Sequence, residues 1–141
     1  MHRIAIAGYM ALQIVTGVTV TDYSAVEPGT DLYLLAHVIC GEAQNCPREE
    51  QEYVGSVVLN RVKSDRFPDT LSEVIYQTDP IQYACVWDGN FDREPTQTNW
   101  EVADELLRNG SALPDDVVWQ SAEPQGDYTY LQTDYHYYCG G

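Results

Sequence analysis

Apolar residues recur between Asp31 and Ala43 at the spacing of a helix, with Leu32, Leu35, Val38 and Ile39 along one face. Thr30 or Asp31 is suited to cap it, because a side-chain oxygen there accepts from the free amides of the first turn. A loop holding Asn45 and Cys46 follows, and Pro47 suits the first turn of a second helix, where its missing N–H costs nothing. That helix lays Tyr53, Val54, Val57, Val58, Arg61 and Val62 on one face. Its acids Glu49, Glu50 and Glu52 sit where a helix start favours negative charge. Thr70-Leu-Ser-Glu73 is a capping-box pattern that opens a short helix through Tyr76. Thr98-Asn-Trp-Glu101 repeats the pattern ahead of a helix that ends at Asn109-Gly110.

After Pro114 the helical period gives way to short β-branched and aromatic runs. Val117-Val-Trp-Gln120, Tyr128-Thr-Tyr-Leu131 and Tyr135-His-Tyr-Tyr138 read as strands, with Gln125-Gly-Asp127 as a turn. Helices first and a small antiparallel sheet afterwards make the chain α+β. There are no internal repeats and no low-complexity tract.

Length allows one domain with a real core: 141 residues are too few for two independent ones. Residues 1–29 read as a leader and linker, and 30–141 as the functional domain. His2 and Arg3 precede the apolar run Ile4–Val15, which has the length of a signal peptide and is too short for a comfortable membrane span. Gln13 and the lack of a small-x-small cleavage site leave an ordinary helix or strand of the fold as the rival reading. Twenty-two acids against seven Lys plus Arg give a net charge of −15. That sign repels phosphate backbones and anionic lipid, so neither nucleic acid nor stable membrane insertion is expected. Eleven Tyr against two Phe predict many half-buried positions with a wet tip, as in a groove for a polar ligand. Cysteines stand at 40, 46, 85 and 139, without a C-x-x-C pair. In an exported chain they suggest disulfides; bridging Cys46 to Cys85 or Cys40 to Cys139 would tie a distant segment beside Glu42. Buried free thiols are the alternative.

Glu42 is the candidate with the clearest chemistry. It projects from the edge of the apolar stripe, three and four residues beyond Ile39 and Val38. A carboxyl held against apolar walls resists ionisation, which suits a general acid near neutral pH. The plain reading is a solvated glutamate in a last helical turn. Tyr76, Gln77, Gln82, Tyr83 and Trp87 supply the amides and ring faces that sugars use, although Tyr76 also follows Val74 and Ile75 as a core residue would. Arg61 is expected to pair with an internal acid. The run Asp88-Gly-Asn-Phe-Asp-Arg-Glu94 alternates oxygen ligands, but Arg93 and Asn99 stand where a calcium loop needs Gly and Glu. His37, Glu42 and His136 lack zinc-site spacing. No metal or cofactor is expected, and the cysteines carry no nucleophile motif.

Gly41-Glu-Ala43, Val57-Val-Leu-Asn-Arg-Val-Lys63, Arg66-Phe-Pro68, Val74-Ile-Tyr-Gln77, Gln82-Tyr83, Asp88-Gly89 and His136-Tyr-Tyr138 follow in order. From about residue 31 onward the chain resembles the cell wall hydrolase family typified by the spore cortex-lytic enzyme. It departs from that pattern at Gln44-Asn-Cys-Pro47 and at Tyr135. The resemblance implies a lysozyme-like, resuscitation-factor-like helical lobe facing a small β lobe, with Glu42 catalytic and peptidoglycan glycan strands as substrate. Asp88, His136 and Tyr138 join the groove residues as implied substrate contacts. It also implies an extracytoplasmic setting, secreted or phage-borne, and a monomer is expected. With one recognised carboxylate, the implied route is lytic transglycosylation between muramic acid and glucosamine; hydrolysis would need a second acid, Asp88 or Asp79. The rival from another class is a carbohydrate-binding or catalytically silent wall protein of the same fold.

Overall fold

The computed structural model describes residues 11–15 and 18–141. Positions 1–10 and 16–17 of the expected leader lie outside the described residues. Its remaining part forms an antiparallel hairpin of strands β1 (Ala11–Val15) and β2 (Val18–Asp22). The stretch read as a linker carries two core residues. Tyr23 and Val26 are buried, and the Tyr23 ring stacks on Trp100 at 5.6 Å. The Tyr23 hydroxyl donates to Asp104 Oδ2 at 2.9 Å. A ring with a polar tip can finish a core and still satisfy its hydroxyl, which alternation alone does not reveal.

Helix α1 (Asp31–Ala43) is the axis of the body. Thr30 caps it by accepting from the Tyr33 amide. Beyond the expected stripe, Leu34, Ala36, His37 and Cys40 are buried as well. The helix is enclosed on most sides because α2 (Arg48–Lys63), α3 (Leu71–Ile75), α4 (Cys85–Asp88) and α5 (Gln97–Asn109) all pack around it or one another. Gly55 on α2 makes this closeness possible: a Cβ there would stand 2.5 Å from Leu106 Cδ1 and 3.0 Å from Ile39 Cδ1.

Helix α3 starts as expected, with Thr70 Oγ1 accepting from the Glu73 amide at 3.1 Å. Helix α5 starts earlier than the Thr98 pattern predicts. Thr96 caps it in a reciprocal box with Asn99, each side chain accepting from the other's backbone N–H. Asn99 is drawn into that role because its amide also donates to Gln51 Oε1 at 2.8 Å, locking α5 to α2.

Strands β3 (Val117–Ser121), β4 (Tyr128–Gln132) and β5 (Tyr137–Gly140) form an antiparallel sheet with β5 in the centre. Tyr135 and His136 precede β5 rather than belonging to it. Thr133 holds them in a turn, its hydroxyl accepting from the Tyr135 and His136 amides at 3.1 Å each. Asn60 joins sheet to helices by donating to Pro114 O at 2.8 Å and Val117 O at 2.9 Å.

Candidate active site

Glu42 occupies the last turn of α1, half-buried where that helix meets the short α4. The preceding Gly41 is what brings the two helices together. A Cβ at Gly41 would fall 2.7 Å from both Cβ and Sγ of Cys85, so only glycine lets α4 sit this close. The Cys85 thiol is thereby a hydrogen-bond donor to the Glu42 carboxylate. Burial is the main force on Glu42 and raises its pKa above the usual carboxyl range. Asp88 raises it further, while the Cys85 hydrogen bond, His136 and Arg61 pull the other way. The same closeness pushes the Cys85 thiol up, through burial first and then the Glu42 carboxylate. It is a proton donor here and a poor thiolate.

Around Glu42 the sequence candidates divide. Trp87 and Tyr76 are open to solvent, at 57% and 43% exposure. Asp88 is exposed and its Oδ1 accepts from the Asn90 amide at 2.9 Å. Asp79 is exposed on the loop before Pro80. Gln77 is half-buried, with its Oε1 enclosed and unpartnered. Tyr83 and Tyr138 are corrections: at 3% and 0% exposure neither ring faces a groove. Tyr83 lies beneath the Arg61 guanidinium, 5.2 Å from its ring centre, and Tyr138 closes the core between α2 and the sheet.

Gln82 serves Arg61 as well, accepting from its Nη1 at 3.1 Å. The internal acid expected for Arg61 is replaced by rings and carbonyls. Its Nε donates to Val118 O at 2.8 Å, and the guanidinium lies among Phe67, Tyr83 and Trp119 at 4.8, 5.2 and 5.4 Å. A flat, weakly hydrated cation tolerates such a site.

The sequence reading missed two neighbours of this centre. Cys85 was weighed as a disulfide partner, yet all four cysteines are free thiols. Cys85 is committed to Glu42, Cys40 lies against the Arg93 and Glu94 carbonyls, and Cys139 packs on Thr129. Glu50, read as an N-terminal helix charge, is buried at 3% exposure. Its Oε2 accepts from His136 Nδ1 at 2.8 Å and from the Tyr138 hydroxyl at 2.6 Å. The signal for it was present: Glu50 precedes Val54, Val57, Val58 and Arg61 on the same helical stripe. A hollow of about 240 Å³ opens beside it, between the start of α2 and the β4–β5 turn, walled by Glu49, Tyr53, Leu131 and Tyr135.

The family model for Cell Wall Hydrolase matches residues 45–133. The chain belongs to the cell wall hydrolase family. Glu42 stands three residues ahead of the matched segment. The spore cortex-lytic enzyme of Oceanobacillus iheyensis is 35% identical over 105 residues, covering 67% of this chain and 37% of the relative. The chain thus spans little more than a third of that relative's length. Among solved structures, the catalytic domain of the Bacillus cereus SleB protein superposes with a TM-score of 0.65 at 25% identity, over 77% of this chain and 88% of that one. The catalytic domain of the germination-specific lytic transglycosylase SleB from Bacillus anthracis gives 0.66 at 23% identity, over 81% and 99%, a likeness of fold. The α+β architecture of this cell wall hydrolase agrees with both. Among the described residues no helix is long and apolar enough to cross a membrane.

Proposed function

We propose that this cell wall hydrolase cuts peptidoglycan glycan strands, with Glu42 as the single proton carrier. The observation that carries the reading is the half-buried Glu42 carboxyl, whose pKa burial raises above the usual carboxyl range at a site that also feels the exposed Asp88. Family membership and the spore cortex-lytic names of the relatives support it.

In the lytic route Glu42 gives its proton to the oxygen linking muramic acid to glucosamine. The muramic C1–O bond breaks, and the positive charge spreads over the ring oxygen and C1. The Glu42 carboxylate then takes the proton from the muramic C6 hydroxyl, and O6 bonds to C1 as a 1,6-anhydro ring. Glu42 ends protonated and no water is consumed. Trp87 and Tyr76 offer ring faces for the sugars, and Gln77 an enclosed amide oxygen. Such an enzyme acts outside the cytoplasm, with residues ahead of the packed body serving as an export leader. A hydrolytic reaction would instead use Asp88, the second carboxylate that Glu42 feels.

The test incubates the protein and its Glu42→Gln variant with cortex and with vegetative peptidoglycan, followed by mass spectrometry of the released fragments. Anhydro-muramic ends made only by the wild type support the lytic route. Reducing ends, lost in the variant, replace it with hydrolysis. No fragments from either substrate would sink the enzyme reading in favour of a binding module.

A further inference from the structure

The hollow between the start of α2 and the β4–β5 turn is lined by a buried carboxyl with one oxygen unengaged. Glu50, only 3% exposed, forms part of its wall. Its Oε2 accepts from both His136 and Tyr138, and among the described residues no donor reaches its Oε1. A buried acceptor without a donor is costly, and the hollow is where a ligand can supply one. Glu49 and Asp134, both exposed, bring two more carboxyl groups to the walls. Glu49 is fixed there, because its Oε1 accepts from the Tyr53 hydroxyl at 2.6 Å. Tyr53 and Tyr135 line the hollow too, and among the described residues no Lys or Arg does. A single water needs about 10–15 Å³ of such space, so the volume of about 240 Å³ admits an organic group.

We propose that this hollow is a subsite for a primary ammonium group carried by the substrate, on a glucosamine lacking its acetyl group or on a lysine-like peptide side chain. The inference rests on the peptidoglycan reading above and adds to it a preference among strands. An ammonium has three N–H donors: Glu50 Oε1 takes one, and Glu49 and Asp134 offer acceptors for the others. The Tyr53 and Tyr135 rings attract the same charge and cover the carbon behind it. An acetylated amine has lost the charge and two of the donors, so the hollow discriminates against it. A metal ion fits less well: among the described residues no three His, Cys, Asp or Glu side chains gather as its ligands. The hollow opens at the Glu42 end of α1. Pro47, five residues beyond Glu42, lines it, and Ala43 packs in one cluster with Tyr53 and Leu131. Five residues of chain reach at most about 18 Å, so a strand held at Glu42 has the hollow within a few sugar units.

Binding needs no turnover, so the test titrates the wild type with soluble probes and follows its backbone amide resonances. The probes are the glucosamine tetramer and its N-acetylated counterpart, and Nα-acetyl-lysine amide with and without a second acetyl on Nε. A free-amine probe shifts Tyr53, Thr133 and Tyr135 and binds about tenfold more tightly than its acetylated twin. Whichever probe does so names the source of the ammonium. Glu49→Gln and Asp134→Asn, both on exposed side chains, each weaken that binding about three- to tenfold. Asp65→Asn, just past the far end of α2, removes the same charge and leaves the binding unchanged. Glu50→Gln abolishes the preference; if a thermal melt shows that it does not fold, the two exposed variants decide. Absence of binding, equal binding of free and acetylated probes, shifts spread over the acidic surface, or an equal loss in Asp65→Asn overturns the proposal. On peptidoglycan, acetylating the amines with acetic anhydride raises KM and spares kcat, and an unchanged KM overturns it too. A wild type that binds the free-amine probes but cleaves nothing defeats the proposed function alone.

Discussion

Glu42 and Glu50 are two enclosed carboxylates separated by one loop, and the fold treats them in opposite ways. Glu50, in the first turn of α2, has its Oε2 held by a histidine and a phenol at short distances. Glu42, in the last turn of α1, is left with burial as the main influence and a thiol as a hydrogen-bond donor. The first arrangement engages the carboxyl in short hydrogen bonds; the second leaves burial to raise the carboxyl's pKa. Two acids of one kind acquire different tasks through what surrounds them, which is how carboxylates in one site divide acid and support roles.

Neutralising Glu42 breaks the contrast most sharply. Glu42→Gln lowers the rate of peptidoglycan cleavage by about a thousandfold or more. It also raises Tm at neutral pH. The folded pKa of Glu42 lies above its unfolded value, so the native state holds that proton to higher pH. The stability gained is complete below the ordinary glutamate range and lost as pH climbs through the raised value. A neutral amide escapes that loss, and melting curves recorded at acid and at neutral pH should show the gain only at the latter.

The opposite sign belongs to Glu50. Glu50→Ala strands the His136 Nδ1–H and the Tyr138 hydroxyl, and chemical denaturation should report a loss of about 3 kcal/mol. Gly41→Ala drives a methyl into Cys85 and costs about 1–3 kcal/mol, with activity falling as α4 shifts from Glu42. Trp87→Ala leaves the proton chemistry alone. Its effect is a KM raised about three- to tenfold, measured on soluble glycan fragments. Cys85→Ser is the mildest change: a hydroxyl donates more strongly than a thiol, so the alkaline limb of the pH–rate profile moves to lower pH.

What could be read in advance followed local rules. The ends of α1, the Thr70 cap of α3, the stop of α5 at Gly110 and the three strands after Pro114 rest on capping and alternation, which act within a few residues. Glu42 at the edge of a buried helix was legible for the same reason. The rest depends on partners distant in sequence. Tyr83 looks like a groove residue by type and Tyr138 by the family resemblance, but Arg61 and Glu50 claim them from α2. Helix α4 is too short to announce itself, and Gly89, at φ 91, ends it after four residues. Glu50 shows a sharper limit. Its place on the apolar stripe was visible, yet the default expectation for an acid in a first helical turn concealed it.

The most direct measurement is the ¹³C titration of the Glu42 side-chain carboxyl, identified by its disappearance in Glu42→Gln, recorded beside the pH–rate profile for peptidoglycan cleavage. A midpoint above the ordinary glutamate range that coincides with the alkaline limb is the predicted result. A Glu42 that titrates like a solvated carboxyl, or a limb that falls at another pH, would contradict its role as proton carrier.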